Sequence, residues 1–359
     1  MEIIITSPSL NPHENVSGIS SVTKFIIENN ATHHYVHFEL GRKDHERGGW
    51  HRIVTLVERY KSWKILLKEY PQALIHYNFP LSMASILRDP WFISYALKQG
   101  RKVVVHVHGG FFLTAEHIPK LPWIILKRVF HYDIPFIVLS DKEKDLIESR
   151  FGARSVFVLP NVVDLKDAEK YAQEQTDDVS HEKLRIGYLG RIEPNKGMTE
   201  LLNACCQLKN MGCEFTLVLA GKEQTDGEYL PRFERELGSH FEYAGLVFGE
   251  AKCRFLRSLD IFILPSYFEG LPMSLLECMS YGVTPVITPV GSIPEVVKDG
   301  VNGIFIRHHN VSSIVEAIAR LNQDRALLKT LGTEARRTIF SGFGPPSYVK
   351  RLNRIYNQA

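Results

Sequence analysis

Short runs of β-branched and other apolar residues alternate with helix-length amphipathic stretches along the whole chain. This rhythm restricts the fold more than any other feature. In the first half, Glu2–Thr6, His33–Phe38, Ala73–Tyr77, Lys102–Val107, Pro135–Leu139 and Ser155–Leu159 read as strands. Most are apolar at successive rather than alternate positions, the pattern of parallel strands covered on both faces. Tyr60–Lys68 and Asp141–Ser149 carry helical periodicity, the latter opened by Ser140 as an N-cap. In the second half Leu184–Leu189, Phe215–Ala220, Phe241–Ala244, Ile261–Leu264, Thr284–Ile287 and Gly303–Ile306 repeat the rhythm. Two such sets imply two doubly wound α/β domains, and 359 residues leave room for both. The polar stretch 164–183 reads as a linker between domains 1–163 and 184–340. After a Gly-Phe-Gly-Pro-Pro break, the amphipathic segment Pro345–Gln358 is able to leave its own domain and pack elsewhere.

Composition removes several classes. At 44% hydrophobic and 23% charged, the chain is neither disordered nor disulfide-stapled. No run of about 18 apolar residues is available to span a membrane. The start, Met1-Glu2-Ile3-Ile4-Ile5-Thr6, does not resemble a signal peptide. Five cysteines without a C-x-x-C spacing fit a reduced, cytoplasmic protein. Charge is uneven: residues 1–160 hold 20 Lys+Arg against 15 Asp+Glu, and 11 of the 15 histidines. The N-terminal half is therefore the one expected to face something anionic.

Missing motifs narrow the chemistry further. There is no phosphate-loop, G-x-G-x-x-G, G-x-S-x-G or H-E-x-x-H sequence. No Asp-x-Asp pair is present to hold a divalent metal on a diphosphate; Asp226-Gly227-Glu228 comes nearest and reads as a turn. The richest segment runs from Pro265 to Glu277, directly after the buried strand ending at Leu264. Open α/β sheets bind ligands at such strand ends. Gly270 permits close backbone approach, and Pro272 suits the first position of a helix whose free N–H groups attract phosphate. Glu269 on the loop and Glu277 in the helix are acceptors for sugar hydroxyls, although either alone would pass as a cap or a surface charge. A second segment, Gly187 to Gly197, also links a strand to a helix (Thr199–Lys209). Its Arg191 and Lys196 are able to converge on one diphosphate; the alternative is a solvated basic turn.

Together and in this order, the two segments resemble the retaining, nucleotide-sugar-dependent glycosyltransferases of family 4 (glycosyl transferases group 1). That family has the GT-B fold of two facing Rossmann-like domains. The resemblance is densest from Leu184 to Phe305, through Gly190-Arg191, Lys196-Gly197, Leu219-Ala220-Gly221, Gly245, Pro265-Ser266 and the two glutamates, then Gly291, Pro294-Glu295 and Asn302-Gly303. It implies that Arg191 and Lys196 neutralise the donor diphosphate, Glu269 binds the donor sugar and Glu277 the ribose. Gly190, Gly245, Gly270, Leu271 and Pro272 complete the implied donor site. In the first domain His108-Gly109-Gly110 matches the family's His-Gly element at the catalytic cleft, which makes His108 a catalytic candidate. Asn161 matches a Pro-Asn-x-Val-Asp hinge, and Pro345–Gln358 the crossover helix. Two departures stand out: the family's Gly-Gly turn after the first strand is Ser17-Gly18 here, and its later Gly-Gly is Gly291-Ser292. Gly18 is thus the donor-binding candidate of the N-terminal loop.

The expected protein is a metal-independent glycosyltransferase with no cofactor. Its partners would be a nucleoside diphosphate sugar, UDP- or GDP-linked, and a hydroxyl acceptor such as a lipid-linked oligosaccharide in surface polysaccharide (lipopolysaccharide, O-antigen or capsule) assembly, with no nucleic acid. A nucleotide-sugar 2-epimerase and a non-catalytic nucleotide-sugar-binding subunit are the rival readings. His106 and His108 share a strand face, but sequence spacing offers no third ligand, so no metal site is expected. His33, His34, His37, His308 and His309 read as surface residues. Lys61, Lys64 and Lys68, set opposite Tyr60, Trp63, Leu67 and Tyr70, and the stretch Lys120–Arg128 suggest peripheral contact with an anionic membrane on the cytoplasmic side. Against this, an amphipathic helix in an α/β domain usually buries its apolar face on the sheet.

Overall fold

The computed structural model describes residues 1–15, 17–41, 50–115, 117–174, 183–225 and 227–359. Asp226, part of the turn considered above, lies outside them. The chain forms two compact units: Met1–Asn161 with Pro345–Ala359, and Val162–Gly344.

In the first unit the strands are β1 (Glu2–Ser7), β2 (His34–Glu39), β3 (Leu74–Phe79), β4 (Val103–Val107), β5 (Phe136–Val138) and β6 (Val156–Val158). They make one parallel sheet in the order β2-β1-β3-β4-β5-β6. In the second unit they are β7 (Leu184–Leu189), β8 (Phe215–Ala220), β9 (Phe241–Gly245), β10 (Ile261–Leu264), β11 (Thr284–Ile287) and β12 (Ile304–Phe305). Their order is β12-β11-β10-β7-β8-β9, again parallel. Every strand expected from the sequence is present, with ends displaced by at most two residues.

The apolar runs are strands because both of their faces are covered. β3 and β4 in one sheet, and β8, β10 and β11 in the other, are buried at every residue. β2 and β9, at sheet edges, are largely half-buried or exposed. Helix starts follow local chemistry. Ser140 caps Asp141–Phe151 by accepting from Glu143 N at 3.1 Å, and Gly152 ends that helix in the left-handed region.

The segment 164–183 is more than a linker. Lys166–Glu174 is a helix and belongs to the second unit. Its apolar signal is only one turn long because it packs through other groups. Leu165 and Ala168 are buried, the Tyr171 ring lies 5.7 Å from that of Tyr281, and Cys253 Sγ donates to Asp167 at 3.4 Å.

The C-terminal helix Pro345–Tyr356 belongs to the first unit. It buries Tyr348, Leu352, Ile355 and Tyr356. Tyr348 meets Phe25 edge-on at 5.9 Å, and Asn353 Oδ1 accepts from Asn30 Nδ2 at 2.7 Å. All four tryptophans (Trp50, Trp63, Trp91, Trp123) lie in this unit, so tryptophan fluorescence reports on it alone. Leu352→Ala removes a fully buried side chain and should cost about 2–5 kcal/mol. The expected result is a lower urea midpoint of the fluorescence transition; an unchanged midpoint would show that the helix adds nothing to this unit.

Candidate active site

Chain direction across the second sheet reverses between β7 and β10, which are neighbours although two strands intervene in sequence. At such a switch point the loops after the two strands diverge to opposite faces and leave a crevice at their carboxyl ends. The two motif-bearing segments are these loops.

After β7, Gly190 N donates to Ala220 O at 3.0 Å and the Tyr188 hydroxyl donates to Arg191 O, which fixes the backbone of Arg191. A short 3-10 turn, Pro194–Lys196, then leads through Gly197 into the helix Met198–Asn210. After β10, Tyr267 N donates to Asn195 O at 3.0 Å, joining the loops through their backbones. Lys196 Nζ and Glu269 Oε1 complete the junction at 2.7 Å, with both side chains mostly buried. Two glycines make the close packing possible. Gly221 (φ +138°) presses on the Gly190 carbonyl, where a Cβ would stand 1.8 Å from the oxygen. Gly291 (φ +59°) presses on the Glu269 carbonyl, where a Cβ would stand 2.0 Å away. Ser292, in place of a second glycine, keeps a conventional backbone role: its N–H donates to Gly270 O at 3.0 Å.

Leu271 is buried, and Pro272 stands at the N-cap of Met273–Ser280 rather than inside its first turn. No side chain caps this helix, which leaves its N-terminal N–H groups available as anion donors. Glu277, in the same helix, does not join the Lys196–Glu269 pair. It binds Lys252 Nζ at 2.7 Å, from the helix Gly249–Arg257. Burial works to lower the Lys252 pKa, but the Glu277 carboxylate outweighs it, and the net shift is upward. Gly245 ends β9 in the left-handed region and its carbonyl accepts from Gly221 N at 2.8 Å. The site thus gathers Gly190, Arg191, Lys196, Glu269, Gly270, Leu271 and Pro272 around one pair of loops, with Gly245 and Glu277 to either side.

Lys252 escaped the sequence reading because nothing in its spacing points at Glu277, 25 residues away. Only the packing of two helices shows the pair.

In the first unit, His108 follows β4, and Gly18 opens the helix Gly18–Asn29, whose N-cap is Ser17. His108 and His106 do share a face, with ring centroids 4.1 Å apart. The structure adds a third ring that sequence spacing could not reveal. His76, on the neighbouring strand β3, places Nε2 3.2 Å from His106 Nδ1, and its own Nδ1 lies 2.7 Å from the Tyr356 hydroxyl. Among the described residues, no group of three or more His, Cys, Asp or Glu is arranged to hold a metal. Burial instead keeps the rings neutral: His76 is lowered to about 4, His108 to about 3, and His106 well below the ordinary value. His34, His308 and His309 are exposed as expected, but His33 and His37 are half-buried and hydrogen-bonded to Asn353 and Ser7.

The family model for glycosyl transferases group 1 matches residues 170–338. Residues 170–338 thus form a group 1 glycosyltransferase domain. An uncharacterized glycosyltransferase of Methanocaldococcus jannaschii is 28% identical over 74% of this chain and 71% of its own. The UDP-Gal:alpha-D-GlcNAc-diphosphoundecaprenol alpha-1,3-galactosyltransferase of Escherichia coli is 24% identical over 60% of this chain and 57% of its own. The structure of sucrose-phosphate synthase from Thermosynechococcus elongatus superposes with a TM-score of 0.80, at 18% identity, covering 99% of this chain and 98% of that one. The transferase therefore has the GT-B fold.

The desolvated histidines predict an acid sensitivity of the fold. Unfolded, each binds a proton near the ordinary pKa of 6.5; folded, His76 does so only near 4 and His108 near 3. Their stabilisation is complete above pH 6.5 and falls as pH drops toward these folded values. The urea midpoint of the fluorescence transition should fall between pH 7 and 5, before carboxylates titrate. A flat midpoint across that range would contradict the assignment.

Proposed function

We propose that this glycosyltransferase moves a sugar, with retention and without a metal, from a nucleoside diphosphate sugar to a hydroxyl of a lipid-linked oligosaccharide during surface-glycan assembly. The observation that carries this reading is the loop pair at the β7–β10 switch point, where two cations and an uncapped helix start accompany a carboxylate. Arg191, Lys196 and the Pro272 helix start stabilise the departing diphosphate, whose charge grows in the transition state. Glu269 accepts donor-sugar hydroxyls and Glu277, steadied by Lys252, accepts those of the ribose. The bond from the anomeric carbon to the diphosphate breaks, and the bond to the acceptor oxygen forms on the same face. The acceptor proton passes to the leaving phosphate oxygen, and His108 is a further catalytic residue in this reading. The Escherichia coli relative supports both a UDP-linked donor and a polyprenol-linked acceptor. Production of epimerised donor in the absence of any acceptor would favour the 2-epimerase reading instead.

Glu269→Ala should remove most turnover while leaving nucleoside diphosphate affinity nearly intact. Glu277→Ala should weaken that affinity by about 1.5–3 kcal/mol through the lost charged hydrogen bond. Calorimetric titration with UDP and GDP checks this, and equal losses in the two variants would reverse the assignment. Activity should persist in excess EDTA; complete, reversible loss would rule out the metal-free mechanism.

Two stretches are candidates for the membrane surface, the helix carrying Lys61, Lys64 and Lys68 and the stretch Lys120–Arg128. Trp63 and Leu67 are buried in the first core, and Lys64 lies over the rings of Tyr60 and Tyr95 at 4.6 and 5.1 Å. The helix thus spends part of its apolar face on the core, while Val54, Val57 and Ile65 stay exposed beside the lysines. The second stretch adds a further apolar surface: in Lys120–Phe130, Leu121 is 59% and Ile124 53% exposed, beside Lys120, Lys127 and Arg128. The helix packed against it, Met83–Lys98, exposes Trp91 at 69% and Leu87 at 44%. No helix among the described residues is long and apolar enough to cross a membrane. Apolar side chains ringed by cations suit the surface of an anionic bilayer. The protein should sediment with phosphatidylglycerol vesicles at low salt and be released by high salt. The combined change Leu121→Ser, Ile124→Ser and Lys127→Glu should abolish sedimentation; retention by that variant would refute this surface.

A further inference from the structure

Asn78, at the end of β3, is buried and spends its whole amide on defined partners. Its Nδ2 donates to the Thr6 carbonyl at 2.6 Å and to Thr23 Oγ1 at 2.9 Å. A backbone carbonyl can only accept, so this contact decides which way the amide faces. Oδ1 is thereby turned toward His108, 2.6 Å from Nε2. An amide oxygen carries no proton, so Nε2 must supply the hydrogen. The ring as a whole is neutral: it is half-buried and desolvated, His76 opposes a second charge, and its pKa is lowered to about 3. The His106 ring lies against it at 4.1 Å and 31°, which holds its plane.

We propose that Asn78 is a positioning residue that locks His108 in the neutral tautomer protonated at Nε2, so that Nδ1 serves as a hydrogen-bond acceptor for a hydroxyl of the reacting sugar. The proton on Nε2 rests on the geometry of the Asn78 amide; the use of Nδ1 rests on the reading of His108 as catalytic. Nδ1 has no hydrogen-bond partner among the described residues, while Thr6 on β1 and Thr23 on Gly18–Asn29 hold the amide in place. An imidazolium, or the other tautomer, would present an N–H at Nδ1 and could not accept a hydrogen bond from a hydroxyl.

Nitrogen NMR of the full chain labelled with ¹⁵N-histidine tests the lock without any assay of activity, with His108→Ala identifying the signal. The expected spectrum shows His108 neutral and protonated at Nε2 from pH 8 to pH 5. A proton on Nδ1, or titration near pH 6.5, would overturn the proposal, and the native protein alone is enough for that result. Asn78→Asp replaces the neutral acceptor by a carboxylate; the ring should become doubly protonated at pH 7, and kcat should fall at least tenfold with the donor KM little changed. At position 108, Asn places an amide near the former Nδ1 and Gln near the former Nε2, so His108→Asn should keep more activity than His108→Gln. The reverse order would refute the role of Nδ1. A correct tautomer together with full activity of His108→Ala would leave the lock standing and remove His108 from the catalytic machinery.

Discussion

The second unit's site depends on one junction, where the loop after β7 meets the loop after β10. Parallel topology brings these strands side by side, but an ion pair makes their loops into one surface. Lys196 and Glu269 meet at 2.7 Å beside the backbone bond from Tyr267 to Asn195. Partly desolvated pairs of this kind contribute little net stability, because desolvation offsets most of the attraction. Their value here is positional. Each charge fixes the other's rotamer, and Gly291 closes against the Glu269 carbonyl from behind.

This arrangement also distributes charge in a useful way. Without a donor, Lys196 and Glu269 satisfy one another. A bound diphosphate would share the ammonium, while Arg191 and the Met273–Ser280 helix start add positive potential from other directions. In the proposed reading Glu269 is then left to accept neutral hydroxyls of the donor sugar. The same logic repeats at Lys252 and Glu277, so each carboxylate of the site has its own lysine, contributed by a different element.

Much of this was legible in the sequence, for reasons that can be named. Most of the twelve strands declared themselves because both faces of each sheet are covered, which writes apolar residues at consecutive positions; the edge strands β2 and β9 are less fully apolar. Arg191, Lys196, Glu269 and Gly270 were legible because they lie within short segments directly after such strands. The rest was hidden by distance along the chain. Lys252 reaches Glu277 from another helix, and His76 reaches His106 across a strand pair 30 residues apart. Asn78 looks like an ordinary strand residue until Thr6 and Thr23 are seen to orient it. The helix Lys166–Glu174 was missed because its packing uses a tyrosine and a thiol contact in place of an apolar stripe.

The central claim is that the crevice beside the joined loops receives the donor's diphosphate. Hydrogen–deuterium exchange of the whole protein, with and without saturating UDP or GDP, tests it most directly because backbone protection maps the ligand without any substitution. The account expects protection concentrated in residues 190–198 and 265–277, with the amides at the start of the Met273–Ser280 helix among the most protected. Saturating nucleotide that protects other segments and leaves these two unchanged would contradict it.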